Sequence, residues 1–152
     1  MPTRENNVTR RRFLALAGSA AAAGACSSGS GVAPTPMGDV LTVNVSALQA
    51  PALEPVGMLP WAIGRDAMGV YAMTLTCTHN GCNIGTTGTV SPQGLECGTK
   101  SCGHHSTYDA NGKVTGGPAP GPLRHFAVTE DAMGNLTIHT DTEVDPAVRL
   151  QV

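Results

Sequence analysis

Apolar and polar residues alternate along much of the chain after about residue 39, and this period of two predicts β-strands. Residues 70–76 add a continuous β-prone run in the middle of that stretch. The alternation is clearest in two groups: Leu41, Val43 and Val45, and then Val128, Leu136 and Ile138. No stretch after Cys26 has a helical period. The pattern therefore predicts an all-β fold.

Turn sequences separate the predicted strands. They are Pro-Gln-Gly at residues 92–94, Ala-Asn-Gly at 110–112 and Gly-Asn at 134–135. Short connections of this kind join neighbouring antiparallel strands. The chain has 19 glycines, 11 prolines and only five aromatic residues, so a core of small aliphatic side chains is expected.

A few large or titratable side chains can be assigned from the same pattern. Trp61, Met58 and Met73 are predicted to lie in the core. His125 and His139 lie on or beside predicted strands, and we interpret them as ordinary histidines of a strand face.

The first 25 residues have the pattern of an export signal. Arg10, Arg11 and Arg12 form a twin-arginine core, and an alanine-rich apolar stretch follows over residues 13–25. That stretch is shorter than the roughly 20 residues that a membrane-spanning helix needs. We interpret residues 1–25 as a signal peptide for the twin-arginine route, with an ordinary secretory signal as the alternative.

Cys26 follows Ala-Gly-Ala and resembles the lipid-modified cysteine of a bacterial lipobox. Lipidation would give this unpaired cysteine a use and would hold the protein at a membrane surface. Cleavage after Ala25 that leaves a free cysteine is the alternative. We favour lipidation.

The mature chain is predicted to be a linker followed by one domain. Residues 26–38 are rich in serine, glycine and proline, as linkers are, and residues 39–152 are long enough for a single core. Removal of residues 1–25 leaves five basic and ten acidic residues, a formal net charge of −5. This acidic balance excludes a basic nucleic-acid surface and suits a basic redox partner.

Two clusters of cysteine and histidine lie about one β-hairpin apart within the domain. Residues 77–82 read Cys-Thr-His-Asn-Gly-Cys, and residues 97–106 read Cys-Gly-Thr-Lys-Ser-Cys-Gly-His-His-Ser. Two loops that each offer a thiolate and an imidazole match a 2Fe-2S cluster in which two cysteines hold one iron and two histidines hold the other. Structural zinc is the alternative for these residue types. Disulfides alone would leave the histidines unexplained.

The clusters and their flanks resemble the Rieske iron-sulfur proteins. Residues 77–82 match that family's first box, Cys-Thr-His-x-Gly-Cys, at every fixed position. The family's second box usually reads Cys-Pro-Cys-His-Gly-Ser-x-Tyr-Asp, and its proline loop reads Gly-Pro-Ala-Pro-x-Pro-Leu, which residues 117–123 match. The resemblance covers about residues 39–140. It implies a 2Fe-2S cofactor and a small antiparallel β-sandwich that carries a cluster-binding subdomain at one end.

The second box departs from the family pattern and allows two assignments of ligands. Alignment of the flanking residues gives Cys97 and His104 as ligands beside Cys77 and His79, with six residues in the gap where the family has two. The resemblance then implies a disulfide between Cys82 and Cys102. If the usual Cys-x-x-His spacing is kept instead, Cys102 and His105 are the ligands and Cys97 pairs with Cys82. We favour the first assignment, because it preserves the register on both sides of the gap.

The resemblance also assigns two hydroxyl groups. Ser106 and Tyr108 stand where the family places hydrogen-bond donors to a bridging sulfide and to a ligand cysteine sulfur. Such donors stabilise the reduced, more negative cluster, so they indicate a high-potential cluster. A zinc site would require neither these hydroxyls nor the proline loop.

Together these features predict one-electron transfer in the bacterial periplasm or cell envelope. The expected partners are redox proteins, either a cytochrome or a subunit of an oxidoreductase, and no residue pattern marks a substrate pocket. A small subunit of a molybdenum oxidase of the arsenite oxidase type is an alternative context. A quinol-oxidising cytochrome bc subunit is less favoured, because the expected transmembrane anchor is missing. A zinc-binding envelope lipoprotein without redox function is the alternative of another class.

Overall fold

The computed structural model describes residues 38–152, which include the whole predicted domain. The predicted signal peptide, Cys26 and all but the last residue of the linker lie outside the described residues. The described part forms ten β-strands, one 3-10 helix and one short α-helix, so the predicted all-β class is confirmed. Within residues 38–152, no helix has the length and apolar character that crossing a membrane requires.

The larger sheet has six antiparallel strands in the order β1-β10-β9-β4-β3-β2. The strands are β1 (Asp39–Asn44), β2 (Ala52–Pro55), β3 (Trp61–Asp66), β4 (Gly69–Thr74), β9 (His125–Glu130) and β10 (Asn135–Val144). The predicted β-prone run is β4 and its exit, and the Gly-Asn turn joins β9 to β10. The six-stranded sheet thus combines residues from both ends of the domain.

The smaller sheet has four antiparallel strands in chain order, and it carries one of the two cysteine and histidine loops. The strands are β5 (Thr89–Ser91), β6 (Gly94–Glu96), β7 (Thr107–Asp109) and β8 (Val114–Gly116). The predicted turns at residues 92–94 and 110–112 join β5 to β6 and β7 to β8. The helix α1 (Ile84–Thr87) lies between β4 and β5.

Alternate residues of β4 pack into two different cores. Val70 and Ala72 belong to the core of the larger sheet, where the rings of Trp61 and Phe126 meet edge to face with centroids 4.9 Å apart. Tyr71 and Met73 belong to a second core, which also includes side chains of the smaller sheet. Both faces of the central strand are therefore covered, and burial of its apolar side chains stabilises the packing of the two sheets.

Two local predictions from the sequence are wrong. Met58 is not in the core, because it lies in the turn between β2 and β3, and the residue is 82% exposed. Val45 is not in a strand, because the pairing of β1 with β10 is irregular after Leu41 and the chain turns into a 3-10 helix (Val45–Ala47). Trp61 and Met73 are buried as predicted.

Arg149 joins the two sheets through its guanidinium group. The Arg149 side chain is 5% exposed, and its Nε donates a hydrogen bond to Asp66 at 2.9 Å. Its Nη2 donates to the side chain of Asn111, in the turn between β7 and β8, at 2.8 Å. The guanidinium also lies 4.2 Å above the ring of Tyr71, whose hydroxyl donates to the carbonyl of Ala110. A buried cation with this many partners fixes the turn of the smaller sheet against the larger one.

His125 lies on the same side as Tyr71, and its imidazole is buried. Its ring is stacked near that of Tyr71 with centroids 6.0 Å apart, and within the described residues neither ring nitrogen has a hydrogen-bond partner. Burial is the largest influence on the pKa of His125 and lowers it below its usual value. Folding therefore favours the neutral form of this imidazole.

We expect His125 to make the domain less stable in mild acid. In the unfolded chain the imidazole takes up a proton as the pH falls through about 6.5, whereas in the folded chain it does so only at lower pH, so stability falls as the pH drops below about 6.5. The loss is at most about 1.4 kcal/mol for each pH unit. His125→Phe keeps an aromatic ring beside Tyr71 and should lose less thermal stability between pH 7 and pH 5.5 than the native protein. Parallel melting profiles over this range would contradict the prediction.

Candidate metal centre

The first loop leaves β4 and is closed by its own backbone hydrogen bonds. The N–H of Cys77 donates to the carbonyl of Cys82, and the N–H of Gly81 donates to the carbonyl of Cys77, each at 2.8 Å. Asn83 then caps α1, because its side chain accepts a hydrogen bond from the N–H of Gly85 at 3.0 Å. Residues 77–82 therefore form a tight loop that is held at both ends.

The second loop connects β6 to β7. The pairing of these strands extends one step beyond β6, since the N–H of Cys97 donates to the carbonyl of Ser106 at 2.8 Å. Residues 98–105 lie between these two anchor points and form the loop itself. The antiparallel pair thus presents the start and the end of the second cysteine and histidine cluster side by side.

The free thiols of Cys77 and Cys97 are buried in the second core, and both residues are at most 1% exposed. Burial raises the pKa of Cys97, and the adjacent sulfur of Cys77 raises it further. Burial has the same effect on Cys77, but hydrogen bonds, led by that of the Tyr108 hydroxyl, lower its pKa below the usual value. Two adjacent sulfurs cannot both be thiolates in such a place without a compensating cation, and a soft metal supplies one.

The imidazoles of His79 and His104 lie against each other at the solvent side of the two loops. Their ring centroids are 4.6 Å apart and the rings are nearly perpendicular, with an angle of 79° between them. His79 is exposed and His104 is half-buried, whereas the two free thiols are buried. The loops therefore offer two sulfur donors inside the protein and two nitrogen donors at its surface.

Cys82 and Cys102 form a disulfide bond that joins the two loops, with their Cα atoms 6.5 Å apart. The Sγ of Cys102 lies 3.5 Å from the Nδ1 of His104. A cysteine in a disulfide has no thiolate to offer a metal. Cys102 is a ligand in the assignment that keeps the usual Cys-x-x-His spacing, but in the structure its sulfur forms the cross-link.

The side chain of His105 points away from His79 and His104. Its Nδ1 lies 2.9 Å from the carboxylate of Glu96, and the His105 side chain is 61% exposed. Its backbone has φ +53°, which is unusual for a residue with a side chain. Consecutive histidines in the sequence thus have different surroundings, and of the two only His104 meets His79.

Two hydroxyl groups face the buried thiols. The hydroxyl of Tyr108 lies 3.3 Å from the Sγ of Cys77 and accepts a hydrogen bond from the N–H of Thr78 at 3.3 Å, so its own hydrogen is available to the sulfur. Ser106 is fully buried, and its Oγ has no hydrogen-bond partner among the described residues. A buried hydroxyl without a partner is rare and indicates a missing acceptor. The sulfide of an iron-sulfur cluster fits this requirement.

The proline loop, residues 117–123, makes hydrogen bonds to the first loop and to the turn of the smaller sheet. The hydroxyl of Thr78 donates to the carbonyl of Gly121 at 2.7 Å, and the N–H of Leu123 donates to the carbonyl of Gly112 at 2.9 Å. Thr78 therefore connects the proline loop to Tyr108 and Cys77. Sequence patterns assign no role to Thr78, and its fixed place in the first box is the one signal that points to it.

The fold and the site define a Rieske-type iron-sulfur protein. The family model of the Rieske [2Fe-2S] domain matches residues 39–127, which is more than half of the chain, and the chain belongs to this family. Its cofactor is accordingly a 2Fe-2S cluster, which fits the buried thiols and the paired imidazoles described above. The predicted family and cofactor are confirmed.

Iron-sulfur subunits of cytochrome b6-f complexes are among the proteins similar to this chain. The cytochrome b6-f complex iron-sulfur subunit of Synechococcus sp. (strain WH7803) is 35% identical over 78 residues, which are 51% of this chain and 36% of that protein. The cytochrome b6-f complex iron-sulfur subunit 2 of Synechocystis sp. (strain ATCC 27184 / PCC 6803 / Kazusa) is 36% identical over 84 residues, which are 54% of this chain and 42% of that protein. The chain therefore matches well under half the length of these relatives.

Two solved structures that the chain resembles are a Rieske protein and a complex of an oxygenase with a ferredoxin. The plasma membrane Rieske protein PetC3 from Synechocystis PCC 6803 has 23% identity and a TM-score of 0.49, with coverage of 65% of this chain and 97% of that chain. A complex of oxygenase and ferredoxin in carbazole 1,9a-dioxygenase has 22% identity and a TM-score of 0.49, with coverage of 72% of this chain and 100% of the matched chain.

Proposed function

We propose that this chain transfers single electrons through a high-potential 2Fe-2S cluster in the bacterial periplasm or cell envelope. We assign Cys77 and Cys97 as the ligands of one iron and His79 and His104 as the ligands of the other. The arrangement of buried free thiols beside paired, solvent-facing imidazoles carries this proposal. Mixed ligation by two cysteines and two histidines is what distinguishes Rieske centres from all-cysteine clusters.

The protein groups around the site each have a task in electron transfer. Bound to these residues, the cluster supplies a one-electron couple at about −150 to +300 mV, well above the roughly −400 mV of plant-type ferredoxins. Leu123 and the other side chains of the second core exclude water from the thiols. His79 and His104 lie at the surface, so electrons would enter and leave on their side. Tyr108 and Ser106 would donate hydrogen bonds that favour the reduced state.

The proposed location follows from the N-terminal sequence. A cofactor that is assembled in the reducing cytoplasm requires export of a folded protein, and the twin-arginine pattern at residues 10–12 fits that requirement. Lipidation at Cys26, the first residue of the linker over residues 26–38, would hold the domain near a membrane surface with some reach. The disulfide between Cys82 and Cys102 is of the kind that persists in an oxidising compartment.

The proposed partners are redox proteins of the envelope. The relatives named above are subunits of a cytochrome complex, and one structural neighbour is part of an oxygenase and ferredoxin complex. A cytochrome or a subunit of an oxidoreductase is therefore the class of partner that we propose. A molybdenum oxidase of the arsenite oxidase type remains within this class.

Metal analysis and a reductive titration test the proposal. The purified full chain should contain two irons and two labile sulfides, and its visible absorption should bleach when one electron per chain is added. The measurement also separates the proposal from a zinc-binding lipoprotein, because Zn²⁺ is colourless and has no redox chemistry. A colourless protein with one zinc per chain would contradict the proposal.

A further inference from the structure

The second loop presents Cys97 and His104 together although six residues separate them. The family's usual spacing has two residues in this gap, so four residues must be accommodated without moving either ligand. In the structure, residues 98–103 form a side excursion that is closed at its base, where the N–H of Gly103 donates to the carbonyl of Gly98 at 3.2 Å. The two ends of the excursion, at Gly98 and Gly103, therefore lie next to each other.

The base of this excursion has no room for a side chain at residue 98. Gly98 has φ +85°, and a Cβ placed on it would lie 2.6 Å from the backbone nitrogen of Gly103 and 2.9 Å from that of His104. Both contacts are shorter than carbon and nitrogen atoms tolerate, and both are with backbone that cannot rotate away. Gly103 also has a left-handed backbone, with φ +71°, but a Cβ there would meet no atom within 4 Å. Of these two glycines, only Gly98 is required for close approach.

The tip of the excursion is held outwards by the elements that follow the first loop. The N–H of Lys100 donates to the carbonyl of Thr87, at the end of α1, at 2.9 Å. The hydroxyls of Thr99 and Thr89 are 3.0 Å apart, and Cys102 is cross-linked to Cys82. Because the tip is fixed, a wider base would displace Cys97 or His104 rather than the tip.

We propose that Gly98 is a positioning residue for cluster binding in this chain. Because Gly98 has no side chain, the backbone of Gly103 and His104 can approach it closely. The six residues between Cys97 and His104 then leave these two side chains placed as the two intervening residues of the family pattern would leave them. This inference rests on the proposed function, in which Cys97 and His104 are ligands.

The test compares Gly98→Ala with the matched variant Gly103→Ala in the full chain. Both variants place a Cβ on a left-handed backbone, so they share the conformational cost and differ in the contacts of the new carbon. We expect Gly98→Ala to hold iron and sulfide in fewer than half of its chains and to show altered EPR g values in the remainder. Gly103→Ala should keep the native content and spectrum. Equal behaviour of the two variants would overturn the proposal.

A variant of the larger sheet separates positioning from general stability. Ile63→Ala removes a buried side chain far from the loops in the chain's other core, so it should lower the melting temperature while the EPR spectrum stays native. If Gly98→Ala behaves in this way, Gly98 is only structural and the proposal fails. If Gly98→Ala does not fold, Gly98→Asn takes its place, because asparagine tolerates a left-handed backbone better. Failure of both variants to fold would also overturn a positioning role.

The native protein distinguishes this inference from the proposed function. Absence of the cluster from the native chain would contradict the proposed function itself. A cluster that is present in the native chain and undisturbed in Gly98→Ala would contradict only the role of Gly98.

Discussion

Cys97→Ser and His104→Ala should each reduce bound iron and labile sulfide at least tenfold, whereas His105→Ala should leave them near the native level. Each of the first two changes removes one of four ligands, and a site with only three donors should not retain the cluster. His105 is the matched control, because it is the adjacent histidine but its ring contacts Glu96 and not His79. Iron and sulfide analysis of the purified full-length variants measures the effect.

Cys102→Ser completes this comparison. It should keep the cluster and lose only the disulfide to Cys82, because the sulfur of Cys102 is already bonded in the structure. The assignment that keeps the usual Cys-x-x-His spacing predicts the reverse pattern. Iron would then be lost in Cys102→Ser and His105→Ala and retained in Cys97→Ser. If every variant loses its colour, peptide mapping of the native protein under non-reducing conditions decides. A bridge from Cys82 to Cys97 would contradict our assignment.

Tyr108→Phe should lower the midpoint potential by about 60–130 mV and leave the EPR spectrum Rieske-like. A hydrogen bond to a charged group contributes about 1.5–3 kcal/mol, and for a one-electron couple about 1.4 kcal/mol corresponds to 59 mV. The reduced cluster carries the additional negative charge, so loss of the donor to Cys77 destabilises the reduced state. Ser106→Ala should shift the potential in the same direction, since its buried Oγ lacks another partner.

Tyr71→Phe is the matched control for this prediction. Tyr71 is also buried, and burial raises its pKa to about 12, but its hydroxyl donates to the carbonyl of Ala110 and not to a thiol. Removal of this hydroxyl should therefore affect stability and not the potential. An unchanged midpoint in both Tyr108→Phe and Ser106→Ala, measured by redox titration, would show that the hydroxyls have been assigned wrongly.

The all-β class and the first loop could be predicted because their signals are local. The β-prone run over residues 70–76 became β4 and its exit, and the turns at residues 92–94 and 110–112 became hairpin connections. The first box fixes Cys77 and His79 within one short closed loop. Sequence spacing is sufficient to predict a loop or turn when it is short, because a short segment has few conformations that join its two ends.

The path of the second loop could not be predicted from spacing. Six residues between Cys97 and His104 allow many conformations, and the one found depends on contacts with Thr87, Thr89 and Cys82, which come from a different part of the chain. A pattern of apolar residues likewise placed Met58 in the core, although its neighbours form a turn that exposes it. In each case tertiary contacts override the local signal.

The group of Arg149, Tyr71 and His125 was also not predictable from the sequence. Arg149 and Asp66 are 83 residues apart in the chain, and Arg149 and Asn111 are 38 apart. A lone arginine near the end of the domain has no local pattern that indicates burial. Only the antiparallel arrangement of β4 and β9 brings Tyr71 and His125 together.

EPR of the reduced protein with ¹⁵N-labelled histidine tests most directly whether the cluster has mixed ligation. Pulsed measurements detect ligand nitrogens through their coupling to the unpaired electron of the reduced cluster. We predict two histidine nitrogens, from His79 and His104, together with an average g value below that of all-cysteine 2Fe-2S clusters. His105→Ala should leave both nitrogen signals unchanged. A reduced cluster with no coupled histidine nitrogen would contradict Rieske ligation in this protein.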